Sequence, residues 1–172
     1  MTPDDPNEMN PDTPDRPIEA ARYAWPTVEL DPVDQMRILA AGLPHAAANE
    51  TVFDANFDRV WSFIADLEQN TARFEASVSR IKILERSGDR IVLDAKGPLS
   101  VASPWIRFDV VLRPGWCLMR SRLGEVGMAA RPEDEERTRF FHFEGSALLG
   151  RVIKPLFAWN IRRDFVKLRK LI

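Results

Sequence analysis

His142 and Glu144 are the residue types in this chain whose spacing suits proton transfer. Residues i and i+2 of a strand project from one face, so an imidazole and a carboxylate stand side by side there. If that face turns inward, the pair can move protons on a bound ketone or polyketide. A histidine beside a glutamate on a strand is also an ordinary surface or hydrogen-bonded structural pair. Parity leaves the face open, because Phe141 and Phe143 share one side with Arg139 while Phe140 shares the other with His142 and Glu144. Arg107 and Asp109 repeat the geometry opposite Phe108 and Val110, where a solvated cross-strand charge set belongs. Cys117 falls on an apolar strand face, where a cysteine acts as a small hydrophobe, and no nucleophile motif surrounds it. With one cysteine and only His45 and His142 as histidines, no intramolecular disulfide can form and no cluster has metal-ligand spacing. Neither a metal site nor a cofactor is expected. The chain also lacks a Gly-rich phosphate loop, a Ser-centred elbow and a paired-carboxylate constellation, which removes hydrolase and nucleotide chemistry.

The elements that must position these residues are a long C-terminal helix and the strands before it. From Val152 to Ile172, Ile153, Phe157, Ile161, Phe165, Leu168 and Ile172 recur every three or four residues, laying one apolar stripe along roughly five to six turns. Leu149, Val152, Leu156 and Trp159 widen the stripe in its first half, and something large is expected to cover them. The other positions carry Lys154, Arg162, Arg163, Lys167, Arg169 and Lys170 against a single acid, Asp164. Much of that charge falls near the negative end of the helix dipole, which is a structural use for it. Its functional reading is a docking surface for an anionic partner or membrane.

Strands are predicted at Ser77 to Arg86, Arg90 to Ala95, Trp105 to Leu112, Trp116 to Leu123, Val126 to Arg131 and Thr138 to Leu148. Turn chemistry separates them: Ser87, Gly88 and Asp89, then Pro114 with Gly115, then Pro132 through Glu136. Period two turns Ile91, Leu93 and Ala95 inward, then Ile106, Phe108, Val110 and Leu112, then Cys117, Met119, Ser121 and Leu123. Earlier, Asn49 to Asp54 reads as a strand. Asn56 caps a helix whose Phe57, Val60, Trp61 and Ile64 share one face, and a second helical piece lies near Glu68 to Phe74. Asp31 as N-cap, Pro32 at the first helical position and Gly42 with Pro44 past the end mark a short helix from Pro32 to Ala41. Its Val33, Met36 and Ala40 allow it to dock on the main body, either as cover for a surface patch or as a lid over a pocket mouth.

At 172 residues with 45% hydrophobic content, the chain suits one domain with a sizeable core. Residues 1–17 are acidic and proline-rich with almost nothing to bury, which predicts a disordered tail. Residues 18–46 form an extension with the short helix, and residues 47–172 form the domain proper. No apolar run is long enough to span a membrane and no secretory pattern opens the chain, so the cytoplasm is the expected compartment. The net charge of -2 divides into an acidic N-terminus and a basic C-terminal helix, and no nucleic-acid partner is expected.

The stretch "ANFDRVWSFIADL" at Ala55 to Leu67 resembles the strand-to-helix junction of the START, polyketide cyclase and Bet v-like superfamily, also known as SRPBCC. The matching residues are Ala55, Asp58, Val60, Trp61 and Asp66, with Asn56 where proline is common. The "ILERSGDRIVL" hairpin at Ile83 to Leu93, the "RPGW" turn at Arg113 to Trp116 and "RTRF" at Arg137 to Phe140 are similar to the family's later strands. The resemblance spans about Asn49 to Ile172 and implies an α+β helix-grip fold: a curved antiparallel sheet wrapped around a long C-terminal helix, with two short helices after the first strand. It also implies an elongated cavity between sheet and helix for lipids, polyketides, sterols and other apolar molecules.

The leading expectation is therefore a binding protein for a small hydrophobic or amphipathic ligand, with Trp61, Phe108, Val110, Met119, Phe157 and Ile161 as candidate cavity residues. Trp105, Trp116 and Trp159 are further aromatic candidates, each equally suited to core or rim packing. The alternatives are a cyclase or dehydratase working through His142 and Glu144, and a docking domain using the basic C-terminal helix.

Overall fold

The computed structural model describes residues 28–98, 103–146, 148 and 150–172. The expected tail at residues 1–17, most of the extension before Asp31, and Leu149 lie outside the described residues. The elements are α1 (Pro32–Ala41), β1 (Ala46–Phe53), α2 (Phe57–Ala65), α3 (Leu67–Phe74), β2 (Arg80–Ser87), β3 (Arg90–Lys96), β4 (Trp105–Arg113), β5 (Trp116–Arg120), β6 (Glu125–Pro132), β7 (Thr138–Gly145) and α4 (Lys154–Leu171), the last preceded by a 3-10 turn at Gly150–Ile153. The strands form one antiparallel sheet in the order β1-β7-β6-β5-β4-β3-β2. After β1 the chain crosses to the far edge through α2 and α3, then returns strand by strand until β7 pairs with β1.

Local chemistry sets this meander. Asn56 caps α2 by accepting from the Arg59 amide at 2.9 Å, and Asp31 caps α1 by accepting from Val33 and Asp34. Gly88 and Gly115 take φ values of 57° and 73° at the two tightest hairpins, a region where a Cβ is strained. The predicted ends of β5 and β7 extend too far. Ser121 folds back onto Gly124, its hydroxyl also taking the amides of Leu123 and Gly124, and this turn stops β5 at Arg120. β7 ends at Gly145, and the next hydroxyl, Ser146, donates to the Leu123 carbonyl at 2.7 Å.

Both faces of β7 are covered, which is why parity did not settle it. Phe140, His142 and Glu144 turn toward α4, while Phe141 and Phe143 turn outward against Val33, Met36 and Ala40 of α1. Trp116 and Ala129 complete that outer layer. α1 thus covers the outer face of the sheet, and the idea of a lid over the pocket mouth is overturned: its apolar stripe matches the Phe141 and Phe143 side. Ion pairs hold it there, with Arg37 bidentate on Glu50 at 2.7 and 2.8 Å, Arg139 reaching the same carboxylate at 2.6 Å, and Arg131 within 3.2 Å of Asp31. Glu50, despite its partial burial, is held below the usual carboxylate range by these two guanidinium groups.

The main core lies between the sheet's inner face and the second half of α4, where Ile161, Phe165 and Leu168 are buried. The first half behaves differently from the expectation. Val152 is 87% exposed and Leu156 and Trp159 each 52%, so no described part of the chain covers the widened stripe. This half of α4 arches over a cavity, with Ile153, Leu156 and Phe157 on the cavity side, and the Trp159 ring carries the Arg163 guanidinium at 4.4 Å.

Candidate functional site

Four ionisable side chains from three regions of the chain converge under α4. Glu75 follows the last turn of α3, where its amide donates to the Thr71 carbonyl at 2.8 Å and the backbone then leaves the helix. His142 and Glu144 come from the inward face of β7, and Asp164 from the buried face of α4. One ligand-type atom from each lies within 4.8 Å of all the others, and all four residues are buried. His142 Nε2 is 3.4 Å from Glu144 Oε1 and 3.7 Å from Glu75 Oε2.

The tautomer follows from the partner of the other ring nitrogen. Nδ1 lies 3.1 Å from the Gly127 carbonyl, which only accepts, so Nδ1 carries a proton and Nε2 faces the carboxylates. The carboxylates are held by their outer oxygens as well: the Ala76 amide donates to Asp164 Oδ1 at 2.9 Å and the Ser77 hydroxyl to Glu75 Oε1 at 3.1 Å. The other oxygens, Glu75 Oε2 and Asp164 Oδ2, are buried without a hydrogen-bond partner.

Burial pushes Glu75 up to about 7, and the nearby Glu144 charge adds to the rise. Burial followed by the Glu75 charge lifts Asp164 to about 7. For His142 burial works against the charged ring, yet Glu75, Glu144 and Asp164 together raise it to about 9. Burying so many ionisable groups together costs stability unless they are paired, which marks the cluster as a candidate functional site.

Glu75 and Glu144 form part of the wall of a cavity of about 340 Å³ between the sheet and the start of α4. The rest of that wall is mostly apolar, with Ile81, Ile106, Phe108, Met119, Val126 and Phe157 prominent. A second concavity of about 1430 Å³ lies on the sheet's outer side and is rimmed by charges including Arg90, Asp94, Arg107 and Arg120. Arg107 there meets Asp94 across the β3–β4 pair at 3.0 Å and is two-thirds exposed, so this is the solvated charge set expected of that face.

No family model and no curated protein matches the sequence. Solved structures do match its backbone. The Zhui aromatase/cyclase from Streptomyces sp. R1128 superposes with a TM-score of 0.52 at 15% identity, covering 73% of this chain and 88% of that one. A START superfamily protein from Mycobacterium smegmatis gives 0.55 at 13% identity, covering 74% and 97%. A point mutant of Thalictrum norcoclaurine synthase gives 0.51 at 11% identity, covering 73% and 92%. The chain has the START/polyketide cyclase/Bet v-like fold. At these identities the likeness establishes architecture alone.

On this START-like frame, Phe108, Met119 and Phe157 stand on the cavity wall. Trp61, Val110 and Ile161 do not; they are packed into the core beside it. The cavity occupies the end of the sheet near the start of β4, whereas Val110 sits toward the other end and Ile161 lies where α4 has closed onto the sheet. Trp61 stacks on Phe57 within α2, ring centroids 6.3 Å apart. Trp116 belongs to the layer under α1 and Trp105 to the outer concavity. Cys117 is buried, and burial pushes its thiol up to about 12.

Glu75 and Asp164 escaped the sequence reading, which had found no cluster with metal-ligand spacing. For Asp164 a signal existed: it falls between Ile161 and Phe165 on the buried stripe, three residues after one and one before the other. For Glu75 nothing local marks a buried acid. The basic residues of α4 include several with internal partners: Lys167 donates to the Phe74 carbonyl at 3.1 Å, and Arg169 reaches Thr51 and lies over the Phe53 ring. Among the described residues, no helix is long and apolar enough to cross a membrane.

Proposed function

We propose that the chain binds a small apolar or amphipathic molecule, of lipid, polyketide or isoprenoid-like size and character, in the cavity between the sheet and α4. The observation that carries this reading is the cavity itself: about 340 Å³, mostly apolar, with Glu75, Glu144, Glu125 and Lys96 as the charged residues of its wall. Sites of this kind gain affinity from apolar burial at about 25 cal/mol per Å² and orientation from a few convergent polar groups. The carboxyl groups favour a ligand with a hydroxyl, an amine or another donor at one end. Native mass spectrometry of freshly purified protein, compared with the same sample denatured, tests it. A small bound mass that is lost on denaturation supports the reading. Empty protein that also takes up no apolar probe, although folded, overturns it.

One observation favours an enzyme as the second reading: His142 and Glu144 face inward, and Glu144 reaches the cavity wall beside Glu75. A carboxylate there is placed to take the proton next to a ligand carbonyl while a protonated neighbour gives a proton to a departing hydroxyl. Water leaves and a carbon–carbon double bond forms, as in a dehydrating cyclisation. The aromatase/cyclase on the same fold lends this reading its substrate class. Loss of turnover of a hydroxy-ketone substrate in His142→Ala and Glu144→Gln, with apolar ligand binding retained, distinguishes catalysis from carriage.

A further inference from the structure

We propose that Glu75, His142, Glu144 and Asp164 form a site for a single divalent metal ion of the zinc or manganese type. The donor set is one imidazole nitrogen and three carboxylates, which suits borderline to hard divalent cations. A tetrahedron with bonds of about 2.0–2.1 Å has edges of about 3.4 Å. The separations from His142 Nε2, 3.4 Å to Glu144 Oε1 and 3.7 Å to Glu75 Oε2, lie within about 0.3 Å of those edges. All four donor atoms lie within 4.8 Å of one another, so small rotations of the carboxylates close the remainder.

The surroundings of each donor point the same way. His142 gives its Nδ1 proton to the Gly127 carbonyl at 3.1 Å, which orients the ring and presents Nε2 to the cluster. Asp164 is held through Oδ1 by the Ala76 amide at 2.9 Å and Glu75 through Oε1 by the Ser77 hydroxyl at 3.1 Å. Their second oxygens, Oδ2 and Oε2, are buried and without hydrogen bonds. Three of the four ligands thus carry an outer hydrogen bond, and two of these, Glu75 and Asp164, also have an unpartnered buried oxygen; outer hydrogen bonds of this kind orient metal ligands. A buried carboxylate oxygen with no partner is destabilising, and a cation satisfies both at once.

Charge leads to the same conclusion. A neutral imidazole and three carboxylates sum to three negative charges in a nearly closed space, and a divalent cation leaves one. Glu75 and Glu144 also form part of the cavity wall, which provides a path for the ion. The site does not depend on what the cavity holds, and it competes with proton transfer by the same carboxylates, so cation binding and the two functional readings can fail separately.

The test uses the full chain stripped with a chelator and titrated with Zn2+ and Mn2+ in separate calorimetric experiments, with thermal unfolding in parallel. The expected result is one ion per chain for at least one of them, at micromolar affinity or tighter, with a raised unfolding midpoint. At an ion concentration of 100 times Kd the stabilisation corresponds to a roughly 100-fold shift in the folding equilibrium. Asp164→Asn and Glu144→Gln, which keep shape, should each weaken binding by at least about 100-fold while the variant stays folded. Ser77→Ala, which removes only the outer hydrogen bond, should weaken it about 10-fold. His45→Ala, at the separate His45–Glu125 pair, should leave it unchanged. Co2+ in the site should give the visible absorption of a four-coordinate ion. Absence of stoichiometric binding by either ion, or binding that survives both Asp164→Asn and Glu144→Gln, overturns the proposal.

Discussion

Gly127→Ala is a one-carbon change whose cost can be worked from the structure. Gly127 lies on β6 opposite Phe143, and a Cβ there would sit 2.1 Å from Phe143 Cε1, 2.6 Å from Cδ1 and 2.7 Å from Met36 Sδ. Carbon contacts are comfortable at about 3.5–4.0 Å, so the phenyl ring must retreat by more than 1 Å into Met36 and push α1 outward. Overpacking of this kind costs typically 1–3 kcal/mol, while removing a glycine from a strand returns roughly 0.5–1 kcal/mol. Because a 2.1 Å approach puts the clash at the top of that range, the net expectation is a loss of about 2 kcal/mol, or a fall in Tm of about 4–8 °C for a chain of this length. Urea and thermal unfolding measure it, with amide exchange of α1 reporting where the strain goes. Phe143→Leu in the same chain should relieve part of the clash, giving a coupling of about 1 kcal/mol or more. An unchanged midpoint, or additive single and double changes, would refute the close packing of α1 on the sheet.

Glu50→Gln removes the carboxylate shared by Arg37 and Arg139 and should cost about 1 kcal/mol, with faster amide exchange in α1 than in β3. Cys117 should resist thiol alkylation in the native state and react only on unfolding, because burial pushes its thiol up to about 12. Cation-free protein should lose stability as pH rises from about 4 to 9. Glu75 and Asp164 keep protons to about 7 in the fold against ordinary values of 4.5 and 3.8, and His142 keeps its proton to about 9 against 6.5. The folded state therefore binds more protons than the unfolded chain across that range, and each contribution is complete below the ordinary value and gone above the folded one. Denaturation midpoints at constant ionic strength check the sign, and Asp164→Asn should flatten the slope.

Strand and helix positions were legible because the signals were local, whereas the pairing of β1 with β7 was not. Asn56 and Asp31 caps, the Gly88 and Gly115 turns and the Phe57, Val60, Trp61, Ile64 face each depend on neighbours in sequence. The side of the sheet that α1 covers was not, since Phe141 and Phe143 had to meet Met36 across about a hundred residues of chain. The site divides the same way. His142 and Glu144 share a strand and appear as a pair in the sequence, whereas Glu75 joins them only when the α3–β2 connection folds under α4. Asp164 was readable from the helical period but was masked by the basic residues around it. Trp61, Val110 and Ile161 were correctly apolar and buried, yet periodicity carries no information on whether a buried side chain borders a void or a neighbour.

The most direct test of the account is shift mapping by NMR with a small apolar aromatic probe and methyl-labelled protein. Binding in the cavity predicts saturable shifts at Ile81, Ile106, Met119 and Val126, with Met36 and Val33 unmoved under α1. Shifts confined to Leu148, Val152 and other exposed residues at the start of α4, with Met119 and Val126 silent, would contradict it.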